Sequence, residues 1–136
     1  MNDILLWVAV ATIGFLALKR LGWLGGGAAG IASLGPEAAR ERLGREPRVL
    51  LVDVRGPKEH RQGHLPHALL VPLDQLHAQA AQALPDPSAT VLLYCQSGVR
   101  SLTAAKRLKK MGYTDVINLA GGIAAWSRTG YPVVSD

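Results

Sequence analysis

The sequence predicts an α/β domain with a parallel sheet and helices on both of its faces. Three observations carry this. From residue 48 onward, short apolar runs at residues 49–54, 69–71, 91–94 and 116–119 alternate with helical patterns. Apart from Asp53 and Asn118 the runs are apolar throughout, as strands covered on both faces should be. The only cysteine, Cys95, falls where one of these strands ends and a helix begins. In parallel sheets that carboxyl-end edge is where ligands bind, and the crossovers are right-handed.

The elements follow in order. Residues 31–34 (Ile31, Ala32, Ser33, Leu34) suit a short edge strand, and residues 36–43 a helix with Pro36 in its first turn and Gly44 after it. Residues 49–54 form a buried strand. Residues 56–61 can turn helical, which would let Arg55 and Glu59 pair four apart. Another strand at 69–71 precedes an alanine- and glutamine-rich helix at 73–84 and a turn at Pro85, Asp86 and Pro87. The strand ending at Tyr94 leads through Cys95 into a helix at 101–111, whose Leu102, Ala105, Leu108 and Met111 share one face. Its last turns carry lysine and arginine, which suit the negative end of the helix dipole, and Gly112 is its stop. These patterns fix neither the number of layers nor the strand order.

The first 24 residues are of another kind. Residues 4–18 are apolar on all sides, so a helix there must be buried in protein or lipid. Extended to Leu24 it reaches about 31 Å at about 1.5 Å per residue, enough for the hydrocarbon layer. Lys19 and Arg20 would snorkel to the headgroups, with Trp7 and Trp23 as interfacial anchors. A single transmembrane helix at 1–24 is therefore expected, then a glycine-rich linker at 25–35 and the folded domain at 36–136. Positive charges follow the span and none but the terminal amine precedes it, which puts the domain on the cytoplasmic side. A cleaved signal peptide is the alternative. Ala28, Ala29, Gly30, Ile31 and Ala32 imitate a cleavage site, although Asn2 and Asp3 stand where a basic start is usual.

The 136 residues allow one domain with an ordinary core, and one cysteine excludes an internal disulfide framework. The net charge of +5 comes largely from Lys19, Arg20, the arginines between 40 and 48 and the basic run at 106–110. None of these runs interleaves with aromatics, so they read as solvated faces and give no support to nucleic-acid binding.

The stretch Cys95, Gln96, Ser97, Gly98, Val99, Arg100, Ser101 concentrates the chemistry. Free amides at a helix start point into the preceding turn and favour negative charge there, which lowers a cysteine's pKa. Gly98 permits a positive φ that turns several amides inward, and Arg100 adds fixed positive charge. The same cysteine could instead be an inert core residue, as most lone cysteines are. His60 and His77 have no metal-ligand spacing with each other or with Cys95, so no zinc site is expected.

Those seven residues resemble the active-site loop of the rhodanese sulfurtransferases, which commonly reads Cys-x-x-Gly-x-Arg-Ser. Leu51, Val52, Asp53, Val54 and Arg55, then Glu59, then Gly63, His64 and Leu65, with Ala68 through Pro72, resemble the family's first signature. Asn118, Gly121, Gly122, Ile123 and Trp126, followed by Gly130, Tyr131 and Pro132, resemble its closing one. The resemblance runs over about residues 31–135. It implies a three-layer α/β/α domain with a five-stranded parallel sheet. It also implies a thiosulfate sulfurtransferase in which Cys95 carries sulfur as a persulfide, while Gln96, Ser97, Gly98, Val99, Arg100 and Ser101 bind the sulfur anion. The expected reactants are a small donor such as thiosulfate or a protein persulfide, and a thiol or cyanide acceptor. No metal or organic cofactor is implied.

Asp53, Arg55 and Glu59 then read as scaffold beside the loop, and His64 as structural. Trp126 fills the core, while Gly121 and Gly122 allow the last loop to approach the active loop. His67 stands where the family usually has glycine, so a different local turn is expected. Two other functions compete. Phosphatases and arsenate reductases of the related cell-cycle type place five residues between cysteine and arginine to ring a tetrahedral oxyanion. Here four separate Cys95 from Arg100, a ring better matched to one sulfur. The other competitor is a membrane-tethered interaction module that keeps the fold and makes little use of Cys95.

Overall fold

The computed structural model describes residues 30–136. The segment expected to span a membrane lies outside them, and among the described residues no helix is long and apolar enough to cross one.

Five parallel strands form one sheet: β1 (Ala32–Leu34), β2 (Leu50–Asp53), β3 (Leu69–Leu70), β4 (Thr90–Tyr94) and β5 (Asp115–Leu119). Their order is β1-β5-β4-β2-β3, which the sequence alone did not reveal. Strand β4 is thus central, with Asp53 of β2 in register beside Tyr94. Helices α1 (Pro36–Arg45), α2 (Pro57–Gln62), α3 (Leu76–Ala83), α4 (Val99–Lys110) and α5 (Gly122–Arg128) connect or follow the strands. A 3-10 turn, Leu73–Gln75, precedes α3 and takes up the start of the stretch expected to be one helix.

Alternation along the strands builds two cores. Val52, Val91, Leu93 and Cys95 point to one face and pack with Leu76 and Ala80 of α3 and Ala104, Ala105 and Leu108 of α4. Leu51, Leu92, Tyr94, Ile117 and Leu119 point to the other, against Ala39 of α1 and Ile123 and Trp126 of α5. Both faces being covered explains why the strands read as largely apolar runs. Trp126 is a core filler as expected, with its indole N–H donating to the Pro132 carbonyl at 2.9 Å.

Some boundaries move. The edge strand expected at residues 31–34 is present as β1, pairing with β5 through Ala32, Ser33 and Leu34, so the sheet starts inside the stretch read as linker. Gly44 does not end α1, which runs on to Arg45. Gly112 does follow α4, at φ 99°. His67 stands in the turn that was expected to differ. It adopts the left-handed conformation itself, at φ 66°, at an estimated cost of about 1–2 kcal/mol for a residue with a Cβ. Its side chain is exposed, so sterics beyond its own backbone do not add to this.

Candidate active site

The site begins with the parity of β4. Because Val91 and Leu93 face α4, Cys95 does too, which brings its Sγ beneath the first turn of that helix. Gly98 caps α4 at φ 100°, a conformation a side chain would strain. In it the Gly98 amide donates to Cys95 Sγ at 3.1 Å.

The Ser101 hydroxyl lies 3.4 Å from the same sulfur and 2.6 Å from Asn118 Oδ1. Its single proton can serve only one of the two at a time, so the backbone amides are the constant donors. Burial opposes ionisation of Cys95. Hydrogen bonds from the Ser101 side chain and from the amides of Ser101, Gly98 and Ser97 more than offset it, holding the thiol below its ordinary pKa. Cys95 is 1% exposed, whereas Gln96, Ser97 and Val99 are exposed at the rim of the loop.

The last loop fixes this collar from behind. The amides of Ile123 and Ala124, in the first turn of α5, donate to the carbonyls of Cys95 (2.9 Å) and Gln96 (3.1 Å). Those carbonyls therefore point outward, which leaves the loop's amides to point in. A Cβ on Gly122 would sit 2.6 Å from the Gln96 carbonyl carbon, so the approach expected of Gly121 and Gly122 tolerates no side chain.

Arg100 and Glu59 depart from expectation. Glu59 does not pair with Arg55. It holds Arg100 in a two-pronged ion pair, Nη1 to Oε1 and Nη2 to Oε2, both 2.8 Å. Arg55 turns back instead to Asp53, which is fully buried and would otherwise be an uncompensated charge. Asp53 Oδ1 accepts from the Arg55 amide (2.9 Å) and Nε (3.0 Å). Oδ2 accepts from Arg55 Nη2 (2.8 Å), His60 Nδ1 (2.9 Å) and the Tyr94 hydroxyl (3.1 Å). Burial raises the Asp53 pKa, but the bonds from Arg55 and His60 prevail and the net shift is downward. Tyr94 in turn accepts from the Leu65 amide at 3.0 Å. His64 faces none of this chemistry; its Nδ1 donates to the His60 carbonyl at 2.8 Å.

The bond from Arg100 holds the Glu59 carboxyl at a pKa of about 2, against an ordinary 4.5. A depressed carboxylate pKa adds stability that is present above the ordinary value and lost as pH falls through the folded one. Both side chains are about 40% exposed, so the pair is worth at most about 1 kcal/mol. Glu59→Gln is therefore expected to melt slightly below the parent at pH 7. The gap should close between pH 4.5 and about 2 in thermal melts across that range.

Two clefts flank the pair. One of about 360 Å³ is lined by Arg55, Glu59, Gln62, Gln96, Ile123 and Ser127. The other, about 420 Å³, is lined by Val54, Pro57, Leu73, Gln75, Arg100 and Arg107. A larger cleft of about 500 Å³ lies at the opposite, amino ends of β2 and β4, around Arg48, Leu50 and Thr90, and contains no thiol.

Residues 35–129 match the family model described as the rhodanese-like domain. The chain belongs to that family. A sulfurtransferase of Allochromatium vinosum is 41% identical over 99 residues, which cover 73% of this chain and 91% of that protein. The thiosulfate sulfurtransferase PspE of Escherichia coli is 42% identical over 72 residues, covering 53% and 68%. Among solved structures, the rhodanese-like domain of the Anabaena protein Alr3790 superposes with a TM-score of 0.71 at 27% identity, over 76% of this chain and 79% of that one. Set within the rhodanese-like fold, two features of the site escaped sequence reasoning. Asn118 stood in the closing signature with no role attached, and the Glu59–Arg100 partnership is invisible in a pattern that places the two residues in separate motifs.

Proposed function

We propose that this rhodanese-like domain is a sulfurtransferase that moves a sulfane sulfur from thiosulfate, or from another persulfide donor, to a thiophilic acceptor. One observation carries the reading: Cys95 Sγ sits within hydrogen-bond reach of amides at the start of α4, with its pKa lowered. The Cys95 thiolate attacks the outer sulfur of thiosulfate. The new S–S bond forms as the old one breaks, and sulfite leaves with the bonding pair. The resulting Cys95 persulfide anion keeps its charge among the amides of Ser97, Gly98 and Ser101, while Gln96 and Val99 frame the entrance. Cyanide or a thiolate then takes the outer sulfur and regenerates the thiolate. No step requires a metal or organic cofactor.

Deep burial of Cys95 favours a narrow, terminal sulfur over a bulky phosphate ester, as does the four-residue interval to Arg100. Arg100 contributes positive charge beside the loop, with two of its five N–H donors engaged by Glu59. Mass spectrometry of the intact protein after thiosulfate treatment tests the reading. A gain of one sulfur atom, mapped to Cys95 and removed by cyanide, is expected. No added sulfur, or turnover of an aryl phosphate with thiosulfate inert, overturns it.

The same proposal includes an anchor. The all-round apolarity of residues 4–18 and the basic pair Lys19 and Arg20 support a membrane span at 1–24 with the domain in the cytoplasm, where a thiol stays reduced. The full chain should stay with membranes through an alkaline carbonate wash; its release would overturn the anchor.

A further inference from the structure

The two clefts beside the Glu59–Arg100 pair differ in the charge they have to spare. In the cleft of about 360 Å³ the charged side chains, Arg55 and Glu59, are already engaged with Asp53 and Arg100. The cleft of about 420 Å³ is lined by two further charges, Asp74 and Arg107. Both are exposed, and among the described residues neither takes part in an ion pair. On α1, by contrast, Arg42 pairs with Glu46 and Arg45 with Glu41. Lys106 and Lys110 of α4 are also unpaired among the described residues, but they line neither of the two clefts. The spare charges of the 420 Å³ cleft are thus one of each sign.

Position ties this cleft to the sulfur. Val54 in its wall donates its amide to the Tyr94 carbonyl at 3.0 Å, one residue before Cys95. Arg100 ends the turn that carries Cys95, and it lines the cleft with N–H donors that Glu59 leaves open. Arg107 follows seven residues later on α4, about 10.5 Å away at about 1.5 Å per residue. Seven residues make about two turns, so both arginines share one face of the helix. The 3-10 turn Leu73–Gln75, which carries Asp74, packs against the same helix. Thiosulfate is too short to reach Arg107 while its outer sulfur meets Cys95. The cleft has the volume of a small-ligand site, typically about 300–1,000 Å³, which is far more than that anion fills.

We infer that this cleft is the subsite for the carbon skeleton of the sulfur acceptor, and that the acceptor is an amino-acid or short-peptide thiol bearing both a carboxylate and an ammonium. Arg107 takes the carboxylate and Asp74 the ammonium, while the thiol is directed to Cys95. The assignment rests on the sulfurtransferase reading above and adds which thiol the site selects. The acceptor's thiolate attacks the outer sulfur of the Cys95 persulfide. A new S–S bond forms as the old one breaks, and Cys95 departs with the bonding pair as a thiolate, leaving the acceptor as a persulfide. Arg107 and Asp74 meet the acceptor away from the reacting sulfurs, so they set specificity.

The full chain is assayed for sulfite release with thiosulfate as donor and either glutathione or 2-mercaptoethanol as acceptor. Glutathione carries carboxylates and an ammonium, and 2-mercaptoethanol carries neither. The readout is the preference, kcat/KM for glutathione divided by kcat/KM for 2-mercaptoethanol. Arg107→Gln is expected to lower it about two- to fivefold, which is what one exposed charge pair is worth. Asp74→Asn is expected to lower it as well, whereas bare electrostatics would raise it, since losing an acid favours a thiol of net negative charge. Lys110→Gln removes the same charge from the same helix outside the cleft and should leave the preference unchanged. A preference that Arg107→Gln leaves at the parent's value, that Lys110→Gln lowers equally, or that Asp74→Asn raises overturns the subsite. Failure of the underlying reading looks different: the parent would gain no sulfur on Cys95 from thiosulfate and release no sulfite with either thiol, which would overturn both.

Discussion

Cys95→Ser is expected to reduce cyanide-dependent thiocyanate formation at least about a thousandfold, because it removes the atom that carries the sulfur. The substitution is nearly isosteric, so the collar should survive: Gly98 still caps α4, and Ile123 and Ala124 still hold the carbonyls of residues 95 and 96. What is lost is chemical. The amides that bring a thiol below its ordinary pKa cannot bring an alcohol near neutrality, and an oxygen in that position has no stable counterpart to a persulfide. The variant's melting temperature should stay close to the parent's, which separates loss of the nucleophile from loss of the fold. A variant that still makes thiocyanate at the parent's rate would show that the sulfur never rests on Cys95.

The reasons this site was readable in the sequence are local. Strand, turn and helix are consecutive in the chain around Cys95, so the apolar run ending at Tyr94, the glycine at 98 and the helical face from Leu102 were enough to predict amides around a sulfur. Strand order was not local. Nothing in residues 49–54 says that they lie beside 90–94, and that pairing is what sets Asp53 next to Tyr94. The error over Arg55 and Glu59 has the same origin. Four-residue spacing on a helix is a weak attraction at best. It loses to the demand of a fully buried carboxylate for a partner, and to the bidentate fit that Arg100 offers Glu59 from another element.

Asp53 joins these long-range features to the loop. It accepts five hydrogen bonds, and they tie together three parts of the chain that the sequence keeps apart: Arg55 just after β2, His60 on α2 and Tyr94 at the end of β4. Tyr94 precedes Cys95 directly, so the carboxylate holds the residue on which the active loop is hinged. Arg55 also reaches the Gly63 carbonyl at 2.6 Å, which fastens the end of α2, and α2 carries the Glu59 that restrains Arg100. One buried anion thus supports both flanks of the loop without touching the sulfur.

Asp53→Ala is accordingly expected to cost about 3–5 kcal/mol, the usual consequence of removing one partner from a buried ion pair and leaving the other uncompensated. Against a typical total of about 5–15 kcal/mol, that is a large share of the domain's stability. It corresponds to a melting temperature at least about 12 °C lower for a domain of this size. The direction with pH follows from the depressed Asp53 pKa: its contribution is full above the unfolded carboxylate value and fades as acid protonates the folded one. The cause can be isolated by removing the orphan. Asp53→Ala combined with Arg55→Met has no buried cation left to desolvate, so it should be less destabilised than the sum of its single variants. Simple additivity would mean that the penalty lies in lost packing and not in the stranded guanidinium. In that case Asp53 would be a space-filling residue and the electrostatic account of the scaffold would fail.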